Sequence, residues 1–200
     1  MKVVILCGGE GIRLKNDLEY IPKGMVFIDD KPLLWHVMKH FSLFGYNEFV
    51  LALGKNGNLI RDYFLNYNLY TNDIELKLDI NGNSKCLSVS QEDNWNIIFA
   101  NTGDSASTGA RLSRCKKYIE DDAFFVCYSD CLSDINIDNL YKFHKKNNRI
   151  LSISGIRPPF RYGEFIVKNN KVVDYLSISS LIAINGFVNG GYMIFNKGIF

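Results

Sequence analysis

The run Val3-Val4-Ile5-Leu6 is apolar at every position, and Gly8-Gly9 closes it one residue later. Successive strand side chains point to opposite faces, so a strand that is apolar throughout has to be covered on both. That requirement restricts the chain to architectures in which helices pack on the two faces of a sheet. Residues 49–53 and 123–128 are further continuous apolar runs. Between the first two runs, Leu34, Val37, Met38, Phe41 and Phe44 recur at helical spacing. Leu59, Ile60, Tyr63 and Phe64 mark one side of a second helix over residues 58–65. Residues 137–146 read as a helix with Asp138 placed to cap it, and residues 150–156, 165–167 and 192–195 read as strands. The alternation predicts an α/β fold: a Rossmann-like, mixed but mainly parallel sheet with helices on both faces.

Composition narrows the partners. The chain has 200 residues, 47% of them apolar, enough for one domain over residues 1–200 with a substantial core. The net charge is +2, and basic pairs such as Lys116-Lys117 and Lys145-Lys146 read as solvated helix faces. No nucleic-acid partner and no membrane partner is therefore expected. The five cysteines form no Cys-x-x-Cys pair, which points to free thiols in a reducing, cytoplasmic compartment and not to a disulfide or zinc framework. The sequence stops at Phe200 with no helix or polar tail to finish the unit, so a chain truncated at its C-terminus is expected.

Several segments carry chemistry. Leu6-Cys7-Gly8-Gly9-Glu10-Gly11-Ile12-Arg13-Leu14 follows the first strand. Glycines there let backbone N–H groups wrap a phosphate chain, and Arg13 adds a planar cationic fork; the alternative is a plain strand-to-helix turn. Leu14 breaks the dinucleotide fingerprint, and no Gly-Lys-Ser/Thr follows to make a Walker loop. Pro22 stiffens the backbone before Lys23, whose ammonium can neutralise a triphosphate or a leaving pyrophosphate. Residues 102–111 are rich in hydroxyls and glycine, which suits reading a base edge. They also suit an N-cap at Ser107 or Thr108 for a helix beginning near Ala110. Asp130 closes the 123–128 strand, where open α/β sheets collect ligands, and can hold Mg2+ against phosphates. Asp134 reads as a loop or helix-start residue. His36 and His40 belong to an amphipathic helix, not to a zinc site, and Tyr63, Phe64 and Tyr67 to the core.

The glycine segment followed by Pro22-Lys23-Gly24-Met25 resembles the signature of the sugar-phosphate nucleotidylyltransferase family, Gly-Gly-x-Gly-Thr-Arg-Leu and then Pro-Lys-Pro-Met. Residues 31–38, Asn94-Trp95-Asn96 and residues 101–112 resemble the branch that uses CTP and glucose 1-phosphate, and the likeness runs the length of the chain. The resemblance implies the nucleotide-diphospho-sugar transferase type of fold. It implies transfer of CMP from CTP to a sugar 1-phosphate, giving a CDP-sugar and pyrophosphate, with Mg2+ as cofactor and a homo-oligomer as the assembled state. Matched position by position, it implies nucleotide contacts at Leu6, Cys7, Gly8, Gly9, Glu10, Gly11, Ile12, Arg13, Lys23, Thr108, Gly109, Arg111 and Ser129. Acceptor contacts fall on Arg161, Gly163, Asn189 and Gly190, metal ligation on Asp130, and catalytic roles on Arg13, Lys23 and Asp130.

The chain also departs from the pattern. Ile12 replaces a threonine and Ala106 a serine, and the family's Gly-Asp-Gly becomes Ser129-Asp130-Cys131. Its Glu-Lys-Pro, whose lysine contacts the sugar phosphate, falls near Ser179-Ser180, leaving Arg161 as a substitute cation. Its second metal aspartate lies in a C-terminal region that this sequence does not contain. Two alternatives stay open: a catalytically inactive nucleotide-binding module, and an enzyme with a different phosphorylated acceptor.

Overall fold

The computed structural model describes residues 1–9, 12–13, 20–76, 84–86, 93–157, 164–176 and 187–200. The centre is a six-stranded sheet of β1 (Val3–Leu6), β2 (Glu48–Leu53), β3 (Asn96–Asn101), β4 (Ala123–Tyr128), β5 (Leu151–Ile156) and β6 (Val188–Asn196), in the order β5-β6-β4-β1-β2-β3. Strands β4, β1, β2 and β3 run parallel, while β6 lies antiparallel between β4 and β5. The sheet is thus mixed and mainly parallel, as the sequence pattern predicts.

Helices α1 (Leu33–Ser42), α2 (Gly57–Leu65), α3 (Tyr67–Thr71), α4 (Thr108–Cys115) and α5 (Ile137–Asn147) clothe it. Val3 and Ile5 of β1 enter a core with Leu34, Phe41, Ile60 and Leu140, which brings α1, α2 and α5 to one face. Val4 and Leu6 enter a second core with Cys115, Ile119 and Phe124, which brings α4 to the other. This two-sided burial is the physical reason that β1 can hold no polar residue. Strand β3 had no such signal: its middle residues are half-buried at the sheet edge and its ends are asparagines. Strand β6 begins at Val188, ahead of the 192–195 run, because its first residues are exposed.

Helix α5 corrects one expectation. Its N-cap is Asn136, whose side chain accepts the Asn139 N–H at 2.8 Å; Asp138 lies inside the first turn, where its charge complements the helix dipole. Asn136→Ala is expected to lower unfolding stability by about 1 kcal/mol. Asp138→Ala should cost less, about 0.3–1 kcal/mol. Denaturant titration of both variants tests the assignment, and the reverse order would return the cap to Asp138. The two helix histidines donate to backbone carbonyls of different segments, His36 to Ile28 at 3.2 Å and His40 to Ile135 at 2.9 Å. Among the described residues no group of three side chains is arranged to hold a metal ion by itself.

Candidate active site

The chain leaves β1 toward β2 and β3 on one side of the sheet and returns to place β4 on the other. The carboxyl ends of β1 and β4 therefore meet at a topological switch point, where the diverging connections leave a crevice. Two ladder contacts carry the pairing past the strand ends: Cys7 N–H donates to the Ala52 carbonyl at 3.1 Å, and Ser129 N–H to the Leu6 carbonyl at 3.3 Å. Beyond them opens a cleft of about 380 Å3 whose lining includes Gly8, Gly9, Pro22, Lys23, Ser129 and Asp130. Among the described residues the Gly8 and Gly9 N–H groups have no hydrogen-bond partner, and N–H groups on such a loop can hold an anion.

The two glycines are there for different reasons. A Cβ on Gly8 would stand 2.1 Å from Cζ of Arg111, whereas a Cβ on Gly9 would meet nothing within 4 Å among the described residues. Gly8 makes room for a protein cation, and no described residue fills the space beside Gly9.

Arg111 reaches that place from α4. Its side chain is 3% exposed. Its guanidinium donates to the Leu53 carbonyl at 3.2 Å, to Thr102 Oγ1 at 2.9 Å, to the Gly103 carbonyl at 2.6 Å and to the Asp104 carbonyl at 2.9 Å. A Cβ on Gly54 would approach it to 2.6 Å, so the planar group is sandwiched between Gly8 and Gly54. The guanidinium is thus engaged by protein oxygens and organises the loop. Among the described residues no carboxylate forms an ion pair with it. Gly54 is the support that the sequence reading missed. Its signal was there, a glycine closing the apolar run 49–53 just as Gly8 closes the first.

Lys23 and Asp130 arrive from separate segments. Pro22, at φ −56°, leads into the single turn Lys23–Met25. Asp130 follows β4. Nζ of Lys23 lies 3.6 Å from Oδ2 of Asp130, with both side chains partly exposed to the cleft. The neighbouring thiols are not poised as nucleophiles. Burial pushes the Cys7 and Cys127 thiols far up, and burial with the nearby Asp130 charge pushes Cys131 up as well.

The loop before α4 divides its hydroxyls. Thr102 Oγ1 donates to the Leu53 carbonyl at 2.6 Å, and Ser107 caps α4 by accepting the Ala110 N–H at 3.4 Å. These two are occupied internally. Thr108 and Gly109 instead line a second cavity of about 400 Å3, which shares Leu6 and Tyr128 with the first cleft. Asn189 and Gly190 sit at the start of β6; the Asn189 side chain accepts the Gly191 N–H at 2.8 Å, and Gly191 packs on Cys131 beside the cleft. Ile12 and Arg13 pair their backbone with residues 20–21. Glu10, Gly11, Arg161, Gly163, Ser179 and Ser180 lie outside the described residues.

Residues 2–200 match the family model of the nucleotidyl transferases. Over its 200 residues the chain is 33% identical to a probable glucose-1-phosphate cytidylyltransferase of Bacillus subtilis (strain 168), covering 100% of this chain and 76% of the relative. It is 34% identical over the same span to the glucose-1-phosphate cytidylyltransferase of Salmonella typhimurium, again covering 76% of that protein. The crystal structure of HddC from Yersinia pseudotuberculosis superposes with a TM-score of 0.65 at 24% identity, covering 99% of this chain and 77% of that one. The last likeness bears on the fold alone, which is that of the nucleotide-diphospho-sugar transferases.

Proposed function

Because this chain belongs to the nucleotidyl transferase family, we propose that it transfers CMP from CTP to glucose 1-phosphate, giving CDP-glucose and pyrophosphate. The observation that carries this reading is a cleft with glycine N–H groups and a buried guanidinium beneath one wall, and a lysine–aspartate pair at the other. Such a surface is built for a polyanion held beside a carboxylate. A phosphate oxygen of the sugar phosphate attacks the α-phosphorus of CTP in line, the bond to the β-phosphate oxygen breaks, and pyrophosphate leaves. No covalent enzyme intermediate is required, so the protein acts by positioning and charge stabilisation.

Gly8 and Gly9 cradle the triphosphate, with Arg13 as a further phosphate contact. Lys23 meets the charge that grows on the departing pyrophosphate. The nucleoside lies along Leu6, Thr108 and Gly109, and the acceptor along Asn189 and Gly190 with Arg161 and Gly163. Asp130 presents one partly exposed carboxylate to the cleft, which fits Mg2+, a cation commonly held by one or two carboxylates plus substrate phosphates. Mg2+ bound there supplies charge neutralisation at the phosphate oxygens. Cys7, Cys115, Cys127 and Cys131 are free thiols, which fits the reducing interior of a cell, and the assembled protein is a homo-oligomer.

Selectivity tests the reading. CTP is expected to bind at least about fivefold tighter than UTP, ATP or GTP, since one mispaired buried hydrogen bond costs roughly 1–3 kcal/mol. Calorimetric titration with each Mg-nucleotide measures this; equal affinities would mean that the site reads only phosphate and ribose. Pyrophosphate release with CTP and glucose 1-phosphate measures the reaction. Binding of CTP without release under saturating acceptor would leave an inactive nucleotide-binding module, and release only with another phosphorylated sugar would move the acceptor.

A further inference from the structure

Asp130 is flanked by two side chains, Ser129 and Cys131, and each is received by a glycine of another segment. A Cβ on Gly24 would meet Ser129 Cβ at 2.8 Å, Oγ at 3.0 Å and the carbonyl oxygen at 3.2 Å. A Cβ on Gly191 would meet Cys131 Sγ at 2.9 Å and Cβ at 3.0 Å. Tyr192 Oη donates to the Cys131 carbonyl at 3.0 Å, which holds the second contact in place. Neither Ser129 nor Cys131 is among the residues at positive φ, so the backbone beside Asp130 does not require glycine. What it requires is space opposite.

The contact at Gly24 joins the two halves of the charged pair. Gly24 directly follows Lys23, Ser129 directly precedes Asp130, and Ser129 is 6% exposed. Real Cβ atoms essentially never approach one another to 2.8 Å, so any side chain at position 24 forces the Lys23 turn away from the Asp130 loop. The chain also differs from the Pro-Lys-Pro-Met and Gly-Asp-Gly signatures at these two places together: it has glycine for the second proline and serine for the first glycine. We propose that Gly24 and Ser129 form a steric lock that sets the separation of Lys23 from Asp130, which makes both of them positioning residues. The lock is a property of the fold, and its effect on turnover rests on the function proposed above.

A double-mutant cycle of Gly24→Ala, Ser129→Gly and the two combined tests it, because alanine adds only the Cβ in question. Turnover number and CTP KM are read by pyrophosphate release, and the thermal midpoint is read without ligand. Gly24→Ala in the parent is expected to lower the turnover number roughly 10–100-fold with a smaller change in KM, the mark of displaced charges and not of lost binding. In the Ser129→Gly background the same change should cost about threefold or less, and its effect on the thermal midpoint should shrink in parallel. If Gly24→Ala alone does not fold, the combined variant is expected to fold. An equal loss in both backgrounds, no loss in the parent, or a combined variant that also fails to fold would overturn the lock. A parent chain with no turnover whose midpoints still couple would overturn the functional reading and leave the lock standing.

Discussion

Lys23→Ala is expected to lower turnover by roughly 10²–10³, the loss of about 2.7–4 kcal/mol typical of removing one preorganised electrostatic contact to a transition state. CTP affinity should change far less. The geometry supports this split. Lys23 stands on a turn begun by a proline at φ −56°, so its backbone is fixed before any ligand arrives. Its ammonium lies 3.6 Å from Asp130, and the side chain, 56% exposed, can follow charge as it moves onto the leaving pyrophosphate. On the function proposed above, the triphosphate would be held by the glycine loop and by the buried field of Arg111, neither of which the substitution touches. Turnover number at saturating CTP and acceptor, set beside calorimetric CTP affinity, separates the two effects. An unchanged turnover number would remove Lys23 from the mechanism. A loss confined to affinity would make it a ground-state phosphate ligand.

Arg111→Met is expected to damage stability and nucleotide binding together. Methionine can fill much of the space between Gly8 and Gly54 but offers no donor. The Gly103 and Asp104 carbonyls would lose contacts of 2.6 and 2.9 Å, and Thr102 Oγ1 one of 2.9 Å. The Leu53 carbonyl keeps the Thr102 hydroxyl at 2.6 Å and the Thr102 N–H at 3.0 Å, so its loss is partly covered. Hydrogen bonds from a charged donor are each worth about 1.5–3 kcal/mol, and with relaxation the net cost should be about 3 kcal/mol. For a chain of this size that corresponds to a fall of roughly 6–12 °C in thermal midpoint. Triphosphate affinity should fall too, because the cation beneath Gly8 goes with the loop. Arg111→Lys should recover only part of either loss, since an ammonium cannot reproduce the planar fork. Thermal unfolding and CTP titration of both variants check this. A stable Arg111→Met variant with full CTP affinity would show that the guanidinium neither holds the loop nor acts on the phosphates.

The sequence determined the sheet, because residues 3–6, 49–53 and 123–128 are apolar at consecutive positions and only a core on both faces accommodates that. It determined where a crevice opens, because glycines and an aspartate close those same runs and the carboxyl ends of β1 and β4 meet at a switch point. The turn Lys23–Met25 was legible as a proline-led lysine. It could not determine which of these groups face a ligand. Arg111 reads as one more cation in a polar loop until the tertiary fold lays it beneath Gly8 and Gly54, contacts 103 and 57 positions away in the chain. That the Thr102 and Ser107 hydroxyls serve the Leu53 carbonyl and the α4 N-terminus is settled only by packing. The fit of Gly24 against Ser129, with Asp130 and Lys23 brought to 3.6 Å, is likewise invisible along the chain. Local pattern reports which faces are buried, since burial follows a residue's own neighbours at fixed spacing. The partner of a buried charge, or the side chain that fills a glycine's space, comes from segments far apart in sequence, and only packing brings them together.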